Sequence, residues 1–599
     1  MALFTPSQSP AVIVKEVDVT GGVPNVQSSV GCYSGKFMWG PADQRTLISS
    51  EEELTETFGA PNNDHSIDYH DAAYYLRYSS SLQLCRIVDS TAKNAVSTSG
   101  QTAAFAVGTY SLPQVKNLAN FESQEGALDS DGFTFIGRVP GTLGNSLRVS
   151  VCPPSVNDSA FSGWTYKGSF DAAPGTSQFA TNTDATNDEV HVAVVDVNGA
   201  FTGTKGTVLE TYPYLSVASN GINTTDGSNI FIKDVINQNS QYVHFVDFDS
   251  NFTNFGNAGT NTTPGTAKDY LGNAVQTSAV VNFGFDSGVD AGILSTGDYQ
   301  SAFNLFEDKE VVEIDFLIAP GMTSRADMTT VVNDLISTAE ARKDCIVVSG
   351  PARSDIVNVY SGSSIITNIT ATAATFTRSS YNTVTGNYLR VYDKYNDKFI
   401  EIPANSSVAG LMAETDRTAA PWFSPAGTRR GQLLGVTGLS FNPNKARRDT
   451  LYKAGVNPIV NLAGQPDLTR SSILLFGDKT GLARPSAFDR INVRRLFLTL
   501  ERAIARAAQN VLFEFNDEFS RAEFVNIIEP VLRDVKGRRG ITDFRIVADE
   551  SVNTPAVVDR NEFIANIFIK PARSINFITL NFVAARTGIS FEEVAGAGI

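Results

Sequence analysis

Two histidines that lie close together are the side chains in this sequence best suited to acid–base or metal chemistry. His65 and His70 stand in the string DHSIDYHD, residues 64–71, where carboxylates surround them. Ligands on one helix face must lie about one turn apart, but a spacing of five turns the second histidine by roughly 140°. The segment therefore predicts an acidic, capped helix N-terminus and no metal site.

Other catalytic arrangements lack their required residues. A Ser-His-Asp set needs a histidine with an orienting carboxylate, and there is no G-x-S-x-G string. None of the four histidines lies in a recognisable motif: His65, His70, His191 and His244. The strings nearest to a phosphate loop, at residues 31–36 and 477–480, lack its spacing or its hydroxyl. We therefore expect a protein that is not an enzyme, with no catalytic, metal-binding or cofactor-binding residues.

The densest basic patch is KGRRG, residues 536–540, with Arg533 one helical turn before it. By itself this pattern is typical of a solvated helix end with a favourable dipole. The whole chain, however, has a formal net charge of -16, so a concentrated basic site could hold an acidic partner. The candidate residues are Arg533, Lys536, Arg538 and Arg539.

The elements that would position such a patch belong to a long, folded chain. A chain of 599 residues is too long for one core and predicts three or four domains, and 42% hydrophobic residues supply the core material. The acidic balance argues against a nucleic-acid coat and against binding to an anionic membrane. No run approaches the ~18 apolar residues of a membrane span, and the N-terminus lacks a basic n-region.

The four cysteines are widely separated and form no CxxC pair. We interpret them as buried, small apolar residues of a protein that folds in a reducing cytoplasm. They are Cys32, Cys85, Cys152 and Cys345.

The N-terminal part predicts a strand and then an α/β unit. The strand Ala11–Val19 has no hairpin partner nearby, so it must pair with something distant. A strand near Val30–Phe37 precedes a helix in which Ser50 and Glu53 have the spacing of a reciprocal capping box. Phe58-Gly59 ends this helix, and a helix at residues 67–78 leads into a strand at residues 82–88.

Residues 90–310 differ in composition from the segments on either side. Gly, Ser, Thr and Asn tracts separate short β-prone runs such as Val190–Val197 and Tyr242–Phe248, a pattern typical of one or two all-β domains. Acidic residues clearly outnumber basic ones here. The α/β pattern resumes with a strand at residues 311–319, a helix at 326–342 and a strand at 345–350. The simplest topology inserts the β-rich region into an α/β domain.

The C-terminal part has the clearest helical periodicity. Asn492 is predicted to cap a helix with apolar residues at spacings of three, four and seven, and a second helix covers residues 524–535. Three β-prone runs follow at residues 544–548, 563–569 and 575–582. The last two are apolar on both faces, as expected of strands inside a sheet covered by helices. Residues 587–591 form a short tail beyond that sheet.

Several strings, in order, resemble the tail sheath proteins of contractile phage tails and related injection machines. The opening SPAVIVKEVDVT is similar to that family's first strand, and Trp39-Gly40-Pro41 with Leu47-Ile48-Ser49 and Phe58-Gly59 resembles its first domain. More specific are strings that follow residue 400. They are IPANSSVAG (402–410), Asp416-Arg417, PWFSPAG (421–427), NPI (457–459) and INVRR (491–495).

The resemblance, which covers residues 1–90 and 310–599, implies a multidomain α/β (mixed α+β) fold. Its helices pack on mixed sheets, with an inserted β-rich outer region. The expected divisions are an N-terminal arm (1–20), a middle α/β domain (21–89 and 311–485), the insertion (90–310), a C-terminal α/β domain forming the inner sheath layer (486–586) and a C-terminal arm (587–599).

The resemblance further implies a structural subunit that polymerises in hexameric rings around a tail tube and contracts to drive the tube through the host envelope. Each arm would add a strand to a neighbour's C-terminal sheet. The arm residues would be Val12, Val14, Val17, Ile575, Phe577, Ile589 and Phe591, and the basic residues above would face the tube. Further partners would be baseplate and tail terminator proteins, without nucleic acid or direct membrane insertion. The protein would be located in the tail sheath of the virion, and in the host cytoplasm before assembly.

Two alternatives stay open at this point. One is the sheath of a non-phage contractile injection apparatus. The other is a secreted β-rich adhesin or glycan-active enzyme.

Overall fold

A computed structural model describes residues 30–97, 112–130, 133–182, 185–246, 268–269, 280–462 and 472–576. Several sequence predictions lie outside these residues and stay predictions. They are the strand at Ala11–Val19 with Val12, Val14 and Val17, the strand at Ile575–Phe582 from Phe577 onward, and the tail with Ile589 and Phe591. Ile575 itself is described, and it lies in irregular backbone.

The first described unit is the predicted strand–helix–strand segment. Its elements are β1 (Gly31–Gly35), β2 (Arg45–Ile48), α1 (Glu51–Phe58), α2 (Ser66–Leu76) and β3 (Leu82–Arg86). The Ser50 hydroxyl accepts from the Glu53 N–H, as the capping box predicted, but Glu53 accepts from Ser49 rather than from the Ser50 backbone. The bond from the backbone to the Glu53 carboxylate therefore comes from the residue before the N-cap, and the reciprocal capping box is incomplete.

The second unit combines sheets with helices that the composition did not reveal, so the expectation of all-β domains was wrong in this respect. Its strands are β4 (Asn94–Ser97), β5 (Phe135–Pro140), β6 (Leu147–Cys152), β7 (Ala185–Thr186), β8 (Glu189–Asp196), β9 (Thr207–Ser216), β10 (Val243–Phe245), β11 (Lys268–Asp269) and β12 (Val281–Gly284). Its helices are α3 (Leu118–Ser130), α4 (Ser159–Gly163), α5 (Gln178–Asn182) and α6 (Ile232–Asn239).

The third unit returns to alternating strands and helices. Its helices are α7 (Thr296–Asn304), α8 (Arg325–Arg342), α9 (Arg353–Ile356), α10 (Gly362–Thr375), α11 (Asn405–Thr418) and α12 (Lys445–Lys453). Its strands are β13 (Phe316–Ile318), β14 (Ile346–Ser349), β15 (Asn382–Thr385), β16 (Tyr388–Asp393), β17 (Lys398–Pro403), β18 (Gly438–Leu439), β19 (Val456–Asn457), β20 (Ile459–Asn461) and β21 (Ile473–Leu475).

The C-terminal unit contains two long helices and a two-stranded sheet. Its elements are α13 (Ile491–Gln509), α14 (Glu518–Gly537), β22 (Ile541–Val547), α15 (Pro555–Val558) and β23 (Asn566–Pro571). The prediction that Asn492 caps the first helix was wrong. Arg490 occupies the N-cap position without a side-chain cap bond, and Asn492 is buried in the first turn.

A seven-stranded sheet in the order β19-β15-β14-β13-β1-β3-β2 joins the first and third units. All neighbours are parallel except β2, which is antiparallel to β3. β1 lies beside β13, with Gly31 opposite Phe316, so chain from before residue 90 and after residue 310 forms one sheet. The domain boundaries themselves stay predictions.

The faces of this sheet carry separate cores. Phe316 and Ile346 pack in one hydrophobic cluster, and the next residues, Leu317 and Val347, pack in another. This alternation is expected when helices cover both faces of a parallel sheet. All four cysteines are free and buried, as predicted. No helix within the described part of the chain is long and apolar enough to cross a membrane.

Candidate assembly interface

The first turn of helix α11 lies at the edge of the sheet where parallel α/β proteins bind ligands, outside the carboxyl ends of the strands. Asn405, at its first turn, donates to the Ala319 carbonyl after β13 (2.8 Å) and accepts from the Thr385 hydroxyl at the end of β15 (2.9 Å). The first eleven residues of the helix are buried. This crevice is therefore occupied by the protein's own chain.

The two neighbouring histidines take structural roles. His65 is the N-cap of α2 without a side-chain cap bond, so the predicted capped start was wrong; Asn62 instead accepts from the His65 N–H (3.1 Å). His70 lies beside Asp393 (3.6 Å) and bonds through Nδ1 with the Ser66 carbonyl (2.8 Å). Burial lowers the pKa of His65 to about 4 and also lowers the pKa of His70. Both rings are thus held neutral by their surroundings.

Arginines on α13 fix the C-terminal unit to the α/β unit, the name we give to the first and third units that share the seven-stranded sheet. Arg495 is buried and pairs with Asp416 (2.5 Å), and Arg502 pairs with Asp315 (2.6 Å) and donates to the Asp344 carbonyl (2.7 Å). Burial raises the pKa of Asp315, and the Arg502 guanidinium opposes that shift. Sequence reasoning missed these contacts. Their signal was the spacing of seven between the two arginines, which places both on one face of the helix.

The two-stranded sheet β22–β23 presents open edges. The strands pair antiparallel, with Phe544 opposite Ile569 and Ile546 opposite Ile567, and these residues pack toward α14. On the other face Phe568 is 58% exposed. The expectation of a sheet covered on both faces was therefore wrong for β23. In the described ranges neither strand has a second strand beside it, and a two-stranded sheet is marginal by itself.

The predicted basic residues are all exposed at the C-terminal end of α14. Three of them already have acidic neighbours in the same unit. Arg533 pairs with Glu529 (2.8 Å), Lys536 pairs with Asp543 (3.0 Å) and Arg538 lies 3.7 Å from Asp534. Arg539 adopts a positive φ of 66°. The cluster is therefore partly neutralised, and its contact with a partner stays a prediction.

The chain leaves this unit through a polar network centred on Asp478. The Ser574 hydroxyl (2.8 Å) and the Asn576 amide (3.0 Å) donate to its carboxylate, and the Asn576 amide also donates to the Tyr452 hydroxyl (2.8 Å). Arg490 supplies the opposite charge at 3.4 Å. The chain at the start of the predicted strand at residues 575–582 is thus attached to the α/β unit.

A groove of about 1140 Å³ brings several predicted site residues together. Lys536, Arg539 and Ile575 line it, and Trp422 and Phe476 contribute aromatic surface. Arg533 and Arg538 do not line it. We refer to this feature as the cationic groove, because its lining contains more basic than acidic residues.

Two protein-family models match the chain. The model described as phage tail sheath protein central domain matches residues 292–466, and the model described as phage tail sheath C-terminal domain matches residues 483–585. Together they include the third unit except β21, the α13 anchor and the open sheet.

Curated relatives match over nearly the full length. A tail sheath protein of Vibrio phage KVP40 is 32% identical, over 98% of this chain and 99% of that protein. The tail sheath protein of Enterobacteria phage T4 is 30% identical over the same shares. Among solved structures, a sheath tail protein from Listeria innocua aligns with a TM-score of 0.53 at 12% identity, over 92% of this chain and 93% of that chain. That likeness concerns the fold alone.

Proposed function

This chain belongs to the phage tail sheath protein family and is a structural sheath subunit, and from that premise we propose that it polymerises helically around a tail tube and contracts. Family membership replaces the alternative of an adhesin or glycan-active enzyme. The curated relatives are phage proteins, which favours a phage tail over another injection apparatus. A mechanical role needs no catalytic group.

The observation that supports polymerisation most directly is the open sheet β22–β23. Its outer backbone N–H and C=O groups can accept an additional strand on either side. We propose that the N-terminal arm of one subunit and the C-terminal arm of another supply these strands. The bonds would link subunits through short segments while the larger units change their packing during contraction.

The anchor between α13 and the α/β unit supports movement of the two as one body. The Arg495–Asp416 pair is buried, with side chains 5% and 7% exposed, so separating the units would leave unpaired charges in a low-dielectric interior. Contraction would therefore rearrange contacts between subunits rather than this contact within a subunit. The energy would come from the lower free energy of the contracted packing.

Electron microscopy of the purified protein tests this function. We expect tube-free polymers of tubular shape in negative stain, because the strand donors and the open sheets are present in every copy. Protein that stays monomeric at concentrations well above those in an infected cell would contradict the proposal. The same preparation with tube, baseplate and terminator proteins would show whether those partners direct the extended form.

The contact with the tube is proposed for Arg533, Lys536, Arg538 and Arg539. Exposed ion pairs contribute only about 0.2–1 kcal/mol each and weaken with salt, which suits contacts that must break during contraction. Acidic residues in a ring on the tube would replace Glu529, Asp543 and Asp534 as the partners of these basic residues. Such contacts would align each sheath subunit with the tube and would still break when the sheath contracts.

Reversing three of these charges, with Lys536→Glu, Arg538→Glu and Arg539→Glu, should impair assembly of extended sheath on tubes. Tube-free polymers should still form at sufficient protein concentration, because the open sheet that exchanges strands is unchanged. The measurement is the fraction of tubes covered by sheath in micrographs. Arg417→Glu is the matched control, since its side chain is 70% exposed on α11. Normal coverage by the triple variant would return the cluster to a solvated helix end.

A further inference from the structure

The loop between α13 and α14, together with the first two residues of α14, presents an unusual set of exposed apolar side chains. Residues 510–519, which we name the knob, include four large side chains that are at least 58% exposed: Leu512, Phe513, Phe515 and Phe519. Phe513 is fully exposed and has a φ of +74°, a conformation that L residues rarely adopt. Apolar groups concentrated in this way mark an interaction surface.

The knob is held in a defined shape. The Asn516 amide donates to the Glu562 carbonyl (2.7 Å), and the Arg521 side chain donates to the carbonyls of Asp517 (3.1 Å) and Asn516 (3.3 Å). A loop that is already ordered loses little conformational entropy when it binds. Between its aromatic residues the knob carries the acids Glu514, Asp517 and Glu518. Its partner should therefore offer aromatic surface and positive charge.

The cationic groove has this composition. Arg448 lies over the Phe476 ring (5.3 Å) and Arg430 over the Phe423 ring (5.1 Å), so its basic groups and its aromatic groups are interleaved. Other basic residues along it are Arg429, Lys445, Lys536, Arg539 and Arg573, against the acids Asp449 and Asp478. Asp478 is already paired with Arg490 (3.4 Å), which balances its charge. The remaining charge of the lining is positive.

We propose that the knob of one subunit docks in the cationic groove of a second copy of this chain. The knob lies at the N-terminal end of α14 and the groove at its C-terminal end, and a helix of 20 residues separates its ends by about 30 Å. A subunit therefore does not fill its own groove. A contact between opposite ends of the same unit is head-to-tail and propagates from copy to copy.

A second copy fits the groove better than the chain's own following segment. Residues 577–583, FITLNFV, carry no charge, and the acids Glu592 and Glu593 come much later in the sequence. The knob combines acids and aromatic residues within ten positions. The inference rests on the proposed polymerisation, and it adds a contact that is distinct from the strand exchange at β22–β23.

Complementary charge reversal tests the contact. The first variant reverses the knob with Glu514→Lys and Glu518→Lys, and the second reverses the groove with Arg429→Glu and Arg448→Glu. Each variant alone should need at least a tenfold higher concentration for tube-free polymer formation, measured by sedimentation. An equal mixture should restore assembly, because each reversed surface meets an opposite charge on the other variant. Unchanged thermal midpoints would show that both variants fold.

Two results would overturn the contact: single variants that assemble like the native protein, or a mixture that assembles no better than its components. Native protein that forms no polymer would instead overturn the proposed function, and this inference with it. A neutral variant, Phe513→Ser with Phe515→Ser, guards against misfolding from the new charges, and it should weaken assembly to a similar extent.

Cysteine cross-linking identifies the occupant of the groove. The four native cysteines are buried, so background reaction should be low. A mixture of Phe513→Cys and Phe476→Cys chains should give a disulfide-linked dimer on oxidation. A second experiment tests the alternative occupant with one chain that carries both Phe476→Cys and Phe577→Cys. Efficient cross-linking within that chain, without the dimer in the mixture, would assign the groove to the chain's own C-terminal segment and overturn the proposal.

Discussion

Replacing Arg86 with methionine should lower the stability of the α/β unit by at least about 3 kcal/mol. The fully buried guanidinium, at the end of β3, donates to four backbone carbonyls: Phe37 (3.0 Å), Met38 (3.3 Å), Gly40 (2.9 Å) and Pro140 (2.6 Å). The first three belong to the loop that contains Trp39-Gly40-Pro41, and the fourth belongs to the insertion. One side chain thus joins the sheet to the inserted region.

The magnitude follows from opposing terms. Hydrogen bonds to a charged group contribute roughly 1.5–3 kcal/mol each, so four give about 6–12 kcal/mol. Burial lowers the pKa of Arg86 to about 10, which corresponds to a cost of about 3 kcal/mol for keeping the charge inside. The hydrogen bonds therefore outweigh the cost of burying the charge. Their loss would also leave the four carbonyls without this donor.

Calorimetry should show the loss as a thermal transition roughly 10 °C lower for the unit that contains the sheet. The matched control is Arg417→Met, whose side chain is 70% exposed and should change stability by less than about 0.5 kcal/mol. Arg86→Lys should recover little, because an ammonium cannot reach carbonyls spread around a planar fork. Equal midpoints for the two methionine variants would show that the four bonds contribute nothing net.

Deleting residues 1–19 should leave a folded subunit that does not assemble at the concentrations at which the native protein forms tubes. A strand of nine residues added to the edge of β22–β23 would form roughly four backbone bonds, each contributing about 1 kcal/mol. Since 1.4 kcal/mol is a tenfold change in an equilibrium constant, the concentration needed for assembly should rise about a thousandfold. Negative-stain microscopy and sedimentation of the deletion variant measure this change.

A shorter deletion provides the control. Removing residues 1–9 leaves the predicted strand Ala11–Val19 intact, so this variant should form tubes normally. Tubes of normal appearance from the 1–19 deletion would show that the N-terminal arm does not link subunits. A low thermal midpoint for that deletion would instead assign the segment to the core of its own subunit.

Local patterns in the sequence were sufficient for the elements whose signals lie within a few residues. Ser50 begins α1 because its hydroxyl reaches the Glu53 N–H three residues later, and the apolar spacing of α13 reflects the face that it buries. The parallel strands β13 and β14 read as continuous apolar runs, because both faces of their sheet are covered. The ordered family strings also identified the sheath family, which the relatives then showed.

The errors occurred where the deciding atoms are distant in sequence. Asn492 resembles a cap, but packing against residue 422 places it inside the first turn of α13. The apolar run around Phe568 resembles a buried strand, yet the described sheet leaves that ring exposed. A short-range pattern cannot report which surface another part of the chain covers, because burial depends on packing between distant segments.

The sequence by itself therefore determined the family, the α/β character, the absence of recognisable catalytic motifs and the position of the basic cluster. Tertiary structure alone decided that Arg86 joins sheet and insertion, that the first turn of α11 lies in the crevice of the sheet, and that Arg495 and Arg502 bind the C-terminal unit. The physical reason is that these contacts connect residues 54 to 187 positions apart. Their geometry exists only after the chain has folded.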